Sequence, residues 1–200
     1  RVNMSIHGWS PVEFALRKGN SRSHALRSAF LEAVLQAGRP LKLNYVVSRA
    51  QDASDLKLLL FWAQGRPLVV NVLNDLNDPS ITAQSLQHLV TELCGPPLQT
   101  FIEPDPFSLP TLHLRWEDGL EVEIKDQQLG ELAPWKRCAT CPVRSRCREG
   151  IHAVRFTHLG VLRTCMDRED INVDLLEVLR SQGRAAAARE FKRFLTQEAR

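Results

Sequence analysis

Three times in its first 94 residues the chain repeats one unit, a short apolar strand followed by a helical stretch that stops at a glycine. The first unit joins Arg1–Ile6 to a helix from about Ser23 to Ala37, ended by Gly38 and Pro40. Leu26, Ala29, Phe30, Ala33, Val34 and Ala37 recur there at helical spacing and predict its buried stripe. The second unit joins Leu41–Val47 to a helix near Ala53–Gln64, and the third joins Pro67–Leu73 to one near Thr82–Cys94. Strands that alternate with helices in this way predict parallel pairing through right-handed crossovers, hence an α/β barrel segment or open sheet. Each strand carries an asparagine, Asn3, Asn44 and Asn71. These fit either polar strand ends or a barrel mouth that binds a ligand's polar atoms. Three strands cannot close a barrel, so the sheet is either small and open or continues upstream of Arg1. The chain also starts inside a strand and lacks an initiator methionine, which reads as the C-terminal part of something longer.

After Gly95 the character changes. Pro96, Pro97, Pro104, Pro106 and Pro110 mark a non-helical passage. Two alternating segments, Leu112–Trp116 and Leu120–Ile124, then flank Asp118-Gly119 and predict a β-hairpin. Two polar-faced helices, Asn172–Arg180 and Ala185–Leu195, close the chain around Gln182-Gly183. The longest apolar run, Leu58–Ala63, is far short of the roughly 20 residues of a membrane-spanning helix. With no apolar leader block in the first residues, a cytoplasmic location and no membrane partner are expected. A net charge of +3 is too weak to argue for nucleic acid.

Four of the five cysteines fall together as Cys138-x2-Cys141-x5-Cys147-x17-Cys165. A Cys-x-x-Cys turn presents two thiolates to one ion or cluster, and the others arrive from neighbouring segments. Zinc usually takes two compact knuckles, whereas iron–sulfur clusters accept less regular spacing. One true knuckle followed by Pro142 favours an iron–sulfur cluster and leaves zinc as the alternative. Cys94, on the apolar side of its helix, reads as core. Arg137, Arg144, Arg146, Arg148, Arg155 and Arg163 surround the cluster segment. They form either a solvated surface or a cationic site for a phosphorylated or carboxylated substrate.

In this order the segments resemble radical S-adenosylmethionine enzymes related to GTP 3',8-cyclase, which opens molybdenum cofactor synthesis. Arg1-Val-Asn-Met-Ser-Ile6 resembles the family's fourth barrel strand, Leu41–Val47 the fifth and Leu68–Leu73 the sixth. The hairpin, the cysteine segment and Ile151–Cys165 are similar to its auxiliary-cluster domain, and Asp170–Arg180 to the helix that follows. The resemblance implies a fold in the α/β class, the C-terminal half of a partial (β/α)6 barrel followed by a small α+β auxiliary-cluster domain. Residues 1–96 would form the barrel part, 97–168 the linker, hairpin and cluster domain, and 169–200 the C-terminal helices.

The same resemblance implies roles for matched positions. Ser5 and Leu73 would contact S-adenosylmethionine, and Lys42 and Arg155 would bind substrate. Cys138, Cys141, Cys147 and Cys165 would hold an auxiliary [4Fe–4S] cluster. In such enzymes a second [4Fe–4S] cluster, bound by a Cys-x3-Cys-x2-Cys loop, generates the 5'-deoxyadenosyl radical. That loop is absent from these 200 residues, so it is expected upstream and the chain alone is expected to be inactive.

Three departures separate the chain from the GTP-binding pattern. The first of the family's paired arginines falls on Ala153, the family's three-cysteine auxiliary cluster gains a candidate fourth ligand in Cys147, and the C-terminal Gly-Gly is missing. Within the radical class this leaves either a GTP-cyclase-like lyase or a tailoring enzyme for a nucleoside, sugar or peptide. The partner is then a small, anionic molecule such as a nucleotide. The rival from another class is a non-catalytic zinc-binding interaction module. No catalytic residue is assigned.

Overall fold

The structure is a computed structural model, and it describes residues 1–18, 21–48, 52–75, 78, 80–104, 110–125, 141, 154–163, 165 and 172–198. The chain divides into two compact units, residues 1–104 with 110–129 and residues 105–109 with 130–200.

The first unit is built on β1 (Val2–Ile6), α1 (Pro11–Lys18), α2 (Ser21–Gln36), β2 (Leu41–Val47), α3 (Asp52–Ala63), β3 (Leu68–Asn74) and α4 (Ala83–Cys94). The strands β4 (Gln99–Glu103), β5 (Thr111–Arg115) and β6 (Glu121–Lys125) complete it. All six strands make one sheet in the order β1-β2-β3-β6-β5-β4. β1, β2, β3 and β6 run parallel, while β5 and β4 are antiparallel additions. The tripled unit therefore folds as a mixed α/β sheet, mostly parallel where the strand–helix repeat feeds it. The compact unit also runs past residue 96, because the hairpin strand β6 pairs with β3 and continues the sheet.

Alternation along the strands sorts the side chains. Leu41, Leu43, Tyr45, Val47, Val70, Val72, Val122 and Ile124 fall on one face and meet Leu31, Leu56, Leu59, Leu60, Leu86 and Val90 from the helices. Right-handed crossovers between strands laid down in one direction bring successive helices to the same face, and that face is the core. At roughly 1.5–3 kcal/mol for each large apolar side chain fully buried, this layer dominates the unit's stability.

α2 departs from the expected stripe. Leu26 and Phe30 are exposed, and the buried positions are Arg27, Leu31 and Val34. The helix is rotated because the Arg27 guanidinium is drawn inward. It donates to the carbonyl oxygens of Gly8 (2.5 Å) and Trp9 (2.7 Å) and lies over the rings of Trp9 and Phe14. Helix α1, absent from the expectation, has a legible signal in Ser10-Pro11-Val12-Glu13. Ser10 Oγ accepts the Glu13 amide at 3.2 Å, and Pro11 opens the first turn. Strand β4, also unexpected, lies between the prolines as an exposed edge.

The loop from β1 into α1 is fastened by α3. The Asp55 carboxylate accepts the amides of Trp9 (2.5 Å) and Ser10 (2.7 Å) and the Tyr45 hydroxyl (3.0 Å). Gly8 is obligatory beside them. Its φ is +91°, and a Cβ would lie 2.6 Å from the Glu13 backbone. Asp52, fully buried, accepts the Ser48 amide (2.7 Å) and hydroxyl (3.0 Å) and an Arg17 guanidinium N–H. Burial alone would raise its pKa, but these donors outweigh it and hold the carboxyl below its ordinary value.

The second unit carries a three-stranded antiparallel sheet of β7 (Arg155–Phe156), β8 (Val161–Arg163) and β9 (Val173–Asp174). A long helix α5 (Leu175–Glu198) follows, interrupted at Gly183 where φ is 81° and ψ 175°. That break is the expected separation of the two terminal helices. No helix in the described residues is long and apolar enough to cross a membrane.

Two outcomes test this account of the loop clamp. Asp55→Ala, which strands three donors, is expected to cost about 3 kcal/mol in urea unfolding; a loss under 1 kcal/mol would contradict the clamp. Because the folded-state pKa of Asp52 is depressed, its stabilisation is present above about pH 4 and is lost as pH falls further. Asp52→Asn should therefore flatten the fall in stability below pH 4, and an unchanged acid limb would contradict it.

Candidate functional site

The face of the sheet opposite the core is polar. One row of laterally paired residues crosses all six strands as Ser5, Asn44, Asn71, Glu123, His113 and Phe101. The neighbouring row runs Asn3, Lys42, Val69, Glu121, Arg115 and Gln99. Side chains of a strand repeat every second residue, so both rows share this face.

Three groups organise it. Lys42 on β2 reaches across β3 to an ion pair with Glu123 on β6, and each side chain is only 12% exposed. Asn71 donates from Nδ2 to Asn44 Oδ1 at 2.8 Å, while its own Oδ1 is buried without a hydrogen-bond partner. His113, 5% exposed, has Glu121 Oε1 3.3 Å from Nδ1 and Glu103 Oε2 3.0 Å from Nε2. Arg115 donates to the same Glu121 oxygen at 3.1 Å. The Phe101 ring is stacked on the imidazole at 4.8 Å and 4°. A cavity of about 370 Å³ in the same unit is lined in part by Arg1, Lys42, Arg66, Glu121 and Glu123. This face combines charge, the buried Asn71 amide and solvent access, whereas the core face is mostly apolar.

The residues expected from sequence are placed as follows. Ser5, exposed on β1, and Lys42 and half-buried Leu73 all lie on the polar face of the first unit. Lys42 is committed to Glu123, so an anionic ligand there would share or displace that carboxylate. Arg155 lies on β7 of the second unit, laterally opposite Arg163 on β8. In the same unit Cys141 is half-buried and Cys165 buried, while Cys138, Cys147 and Ala153 lie outside the described residues. Cys94 packs against the core, and its thiol is pushed up to about 11, chiefly by burial and then by Asp118. It is thus a neutral packing group at neutral pH.

His113, Glu121 and Glu123 were not among the expected site residues. Their signal is the period of the hairpin: in Leu112-His-Leu-Arg-Trp and Leu120-Glu-Val-Glu-Ile the apolar residues alternate with polar ones. Pairing of β6 to β3 places those polar residues beside Asn71.

The chain is similar to a protein named GTP 3',8-cyclase from Caulobacter vibrioides, with 27% identity over 179 residues. The match takes in 85% of this chain and 46% of that protein, so the chain spans about half the length of its relative. No family model matches the chain. No solved structure matches it either.

The Lys42–Glu123 pair makes a direct prediction. Glu123→Leu or Lys42→Met alone strands a largely buried charge and is expected to destabilise by about 3 kcal/mol in urea unfolding. The double variant should recover most of that loss. Strictly additive losses would show that the two charges are not coupled.

Proposed function

We propose that the chain is the C-terminal part of a radical S-adenosylmethionine enzyme of the GTP 3',8-cyclase kind, with an auxiliary [4Fe–4S] cluster in its second unit. The carrying observation is the extent of the similarity to the cyclase. A match over 85% of 200 residues covers about 170, and any such stretch takes in roughly residues 31–170. It therefore includes Lys42, Leu73, Arg155 and the four clustered cysteines. The matched stretch thus spans both the strand–helix repeat and the cysteine segment.

The donor set suits the cluster. Cys138, Cys141, Cys147 and Cys165 supply soft thiolates, the ligands that iron–sulfur clusters take. Buried Cys165 follows β8, whose Leu162 is fully buried, so this ligand is anchored by a packed strand. The polar face of the sheet suits the other partners. Ser5 presents its hydroxyl from the exposed edge strand, and Leu73 offers backbone near the end of β3, both toward S-adenosylmethionine. Lys42 in the first unit and Arg155 in the second are each cationic groups suited to an anionic ligand. Glu123 keeps Lys42 extended across β3 and sets the charge that a substrate phosphate or carboxylate must compete with. Bound S-adenosylmethionine with a reduced cluster supplies hydrogen-atom abstraction in this enzyme class. The chain's own residues bind, orient and charge-match the reactants. With Ala153 in place of one arginine, the substrate class we favour is an anionic small molecule held by fewer cations than the cyclase pattern implies.

Metal analysis of anaerobically purified protein tests this reading. About four irons and four acid-labile sulfides per chain are expected, with both lost in Cys141→Ala. Zinc near one per chain without sulfide would overturn the reading and establish a zinc-binding module instead.

A further inference from the structure

The polar face holds a cluster of donors, His113, Glu121 and Glu123, that the proposed roles of Ser5, Leu73, Lys42, Arg155 and the four cysteines leave unassigned. We infer that His113, Glu121 and Glu123, with the side-chain oxygen of Asn71, form a site for one hard divalent cation of the magnesium or manganese class. This inference is independent of the proposed radical function.

One ligand atom from each of His113, Glu121 and Glu123 lies within 4.8 Å of the others. Metal–ligand distances near 2.1 Å require these atoms to close only modestly around an ion. All three stand on paired strands, where backbone hydrogen bonding fixes their spacing: His113 is directly opposite Glu123, and Glu121 is two residues along the same strand. Two carboxylates and one imidazole are a mainly oxygen set, which suits magnesium or manganese and contains no thiolate.

The imidazole lies between carboxylates that face both of its ring nitrogens. Nδ1 faces Glu121 at 3.3 Å, and Nε2 faces the Glu103 carboxylate at 3.0 Å. A ligating histidine commonly gives its second ring N–H to a carboxylate, which fixes the tautomer and the ring plane. That contact is not aligned as a hydrogen bond in this structure. The stacked Phe101 holds the ring in its plane from the edge strand.

A second observation points to a ligand separately from the acidic residues. Asn71 is 6% exposed, and its Oδ1 is buried with no hydrogen-bond partner. A buried acceptor left unsatisfied costs free energy, and such groups are rare. Asn71 Nδ2 is spent on Asn44 of β2, so the amide turns its oxygen away from β2, and the lateral neighbour on the other side is Glu123 of β6. A cation beside Glu123 satisfies that oxygen; an ion-pair network alone does not.

Without the ion, cationic side chains hold the carboxylates. Lys42 pairs with Glu123, and Arg115 with Glu121. Both are long side chains that can withdraw, and the cavity of about 370 Å³ lined by Glu121 and Glu123 gives an ion access to the carboxylates. Coordination positions left open would be available to an anionic ligand.

Titration of the full 200-residue chain with Mn²⁺, following the free-ion signal by electron paramagnetic resonance, tests the site. One Mn²⁺ per chain is expected, bound at least tenfold more weakly by His113→Ala and by Glu123→Gln and unchanged in Cys141→Ser. Lys42→Gln, which removes the competing ammonium, should bind several-fold tighter. Misfolding cannot produce that gain, so this variant decides the matter if the loss variants unfold. Absence of saturable binding in both the wild type and Lys42→Gln would overturn the inference. So would binding that survives His113→Ala and Glu123→Gln, or that vanishes in Cys141→Ser.

Discussion

The lateral register of the first sheet is the constraint on which everything else in that unit rests. Because β2 pairs with β3 so that Asn44 meets Asn71, and β3 with β6 so that Asn71 meets Glu123, one face becomes largely apolar and the other largely polar. A slip of one residue at any of these pairings would drive Lys42 or Glu123 into the leucine layer and put Leu43 or Val122 in their place. The core face enforces the register, because Leu43, Val70, Val72 and Val122 are fully buried there. The working face inherits its geometry from that packing.

On the polar face, charges are compensated across strands instead of within them. Lys42 and Glu123 are separated by β3, and Glu121 is shared between Arg115 and His113. The Lys42–Glu123 pair, mostly withdrawn from water, stabilises little beyond its desolvation, but each partner is costly to lose. The arrangement is therefore poised: an incoming anion can take over Lys42, and an incoming cation can take over Glu123. The proposed substrate-binding role of Lys42 and the inferred cation site act on the two ends of one ion pair, which is why charge variants at either end separate them.

Much of the fold is legible in the sequence, for identifiable reasons. The strands at 41–47 and 68–74 and helix α4 follow from apolar runs bounded by glycine and proline, and the Asp118-Gly119 turn marks the β5–β6 hairpin. Helix α2 is found but its buried face is not, since apolar periodicity favours Leu26 and Phe30 while carbonyl oxygens and aromatic rings capture Arg27. Joining the hairpin to β3 is a long-range pairing that local pattern does not encode. The same limit applies to the site. Lys42 and Ser5 are singled out only by the family resemblance, and Glu121, Glu123 and His113 acquire meaning only once β6 lies beside β3.

The account turns on the polar face being the ligand-bearing face of the first unit. Amide chemical-shift mapping by nuclear magnetic resonance, during titration of the chain with S-adenosylmethionine, addresses this directly. The account predicts perturbations concentrated on the row through Ser5, Asn44 and Asn71 and on Leu73, with the helix positions Leu59 and Leu86 unmoved. Perturbations confined to the helices or to the second unit, or none at saturating ligand, would contradict it.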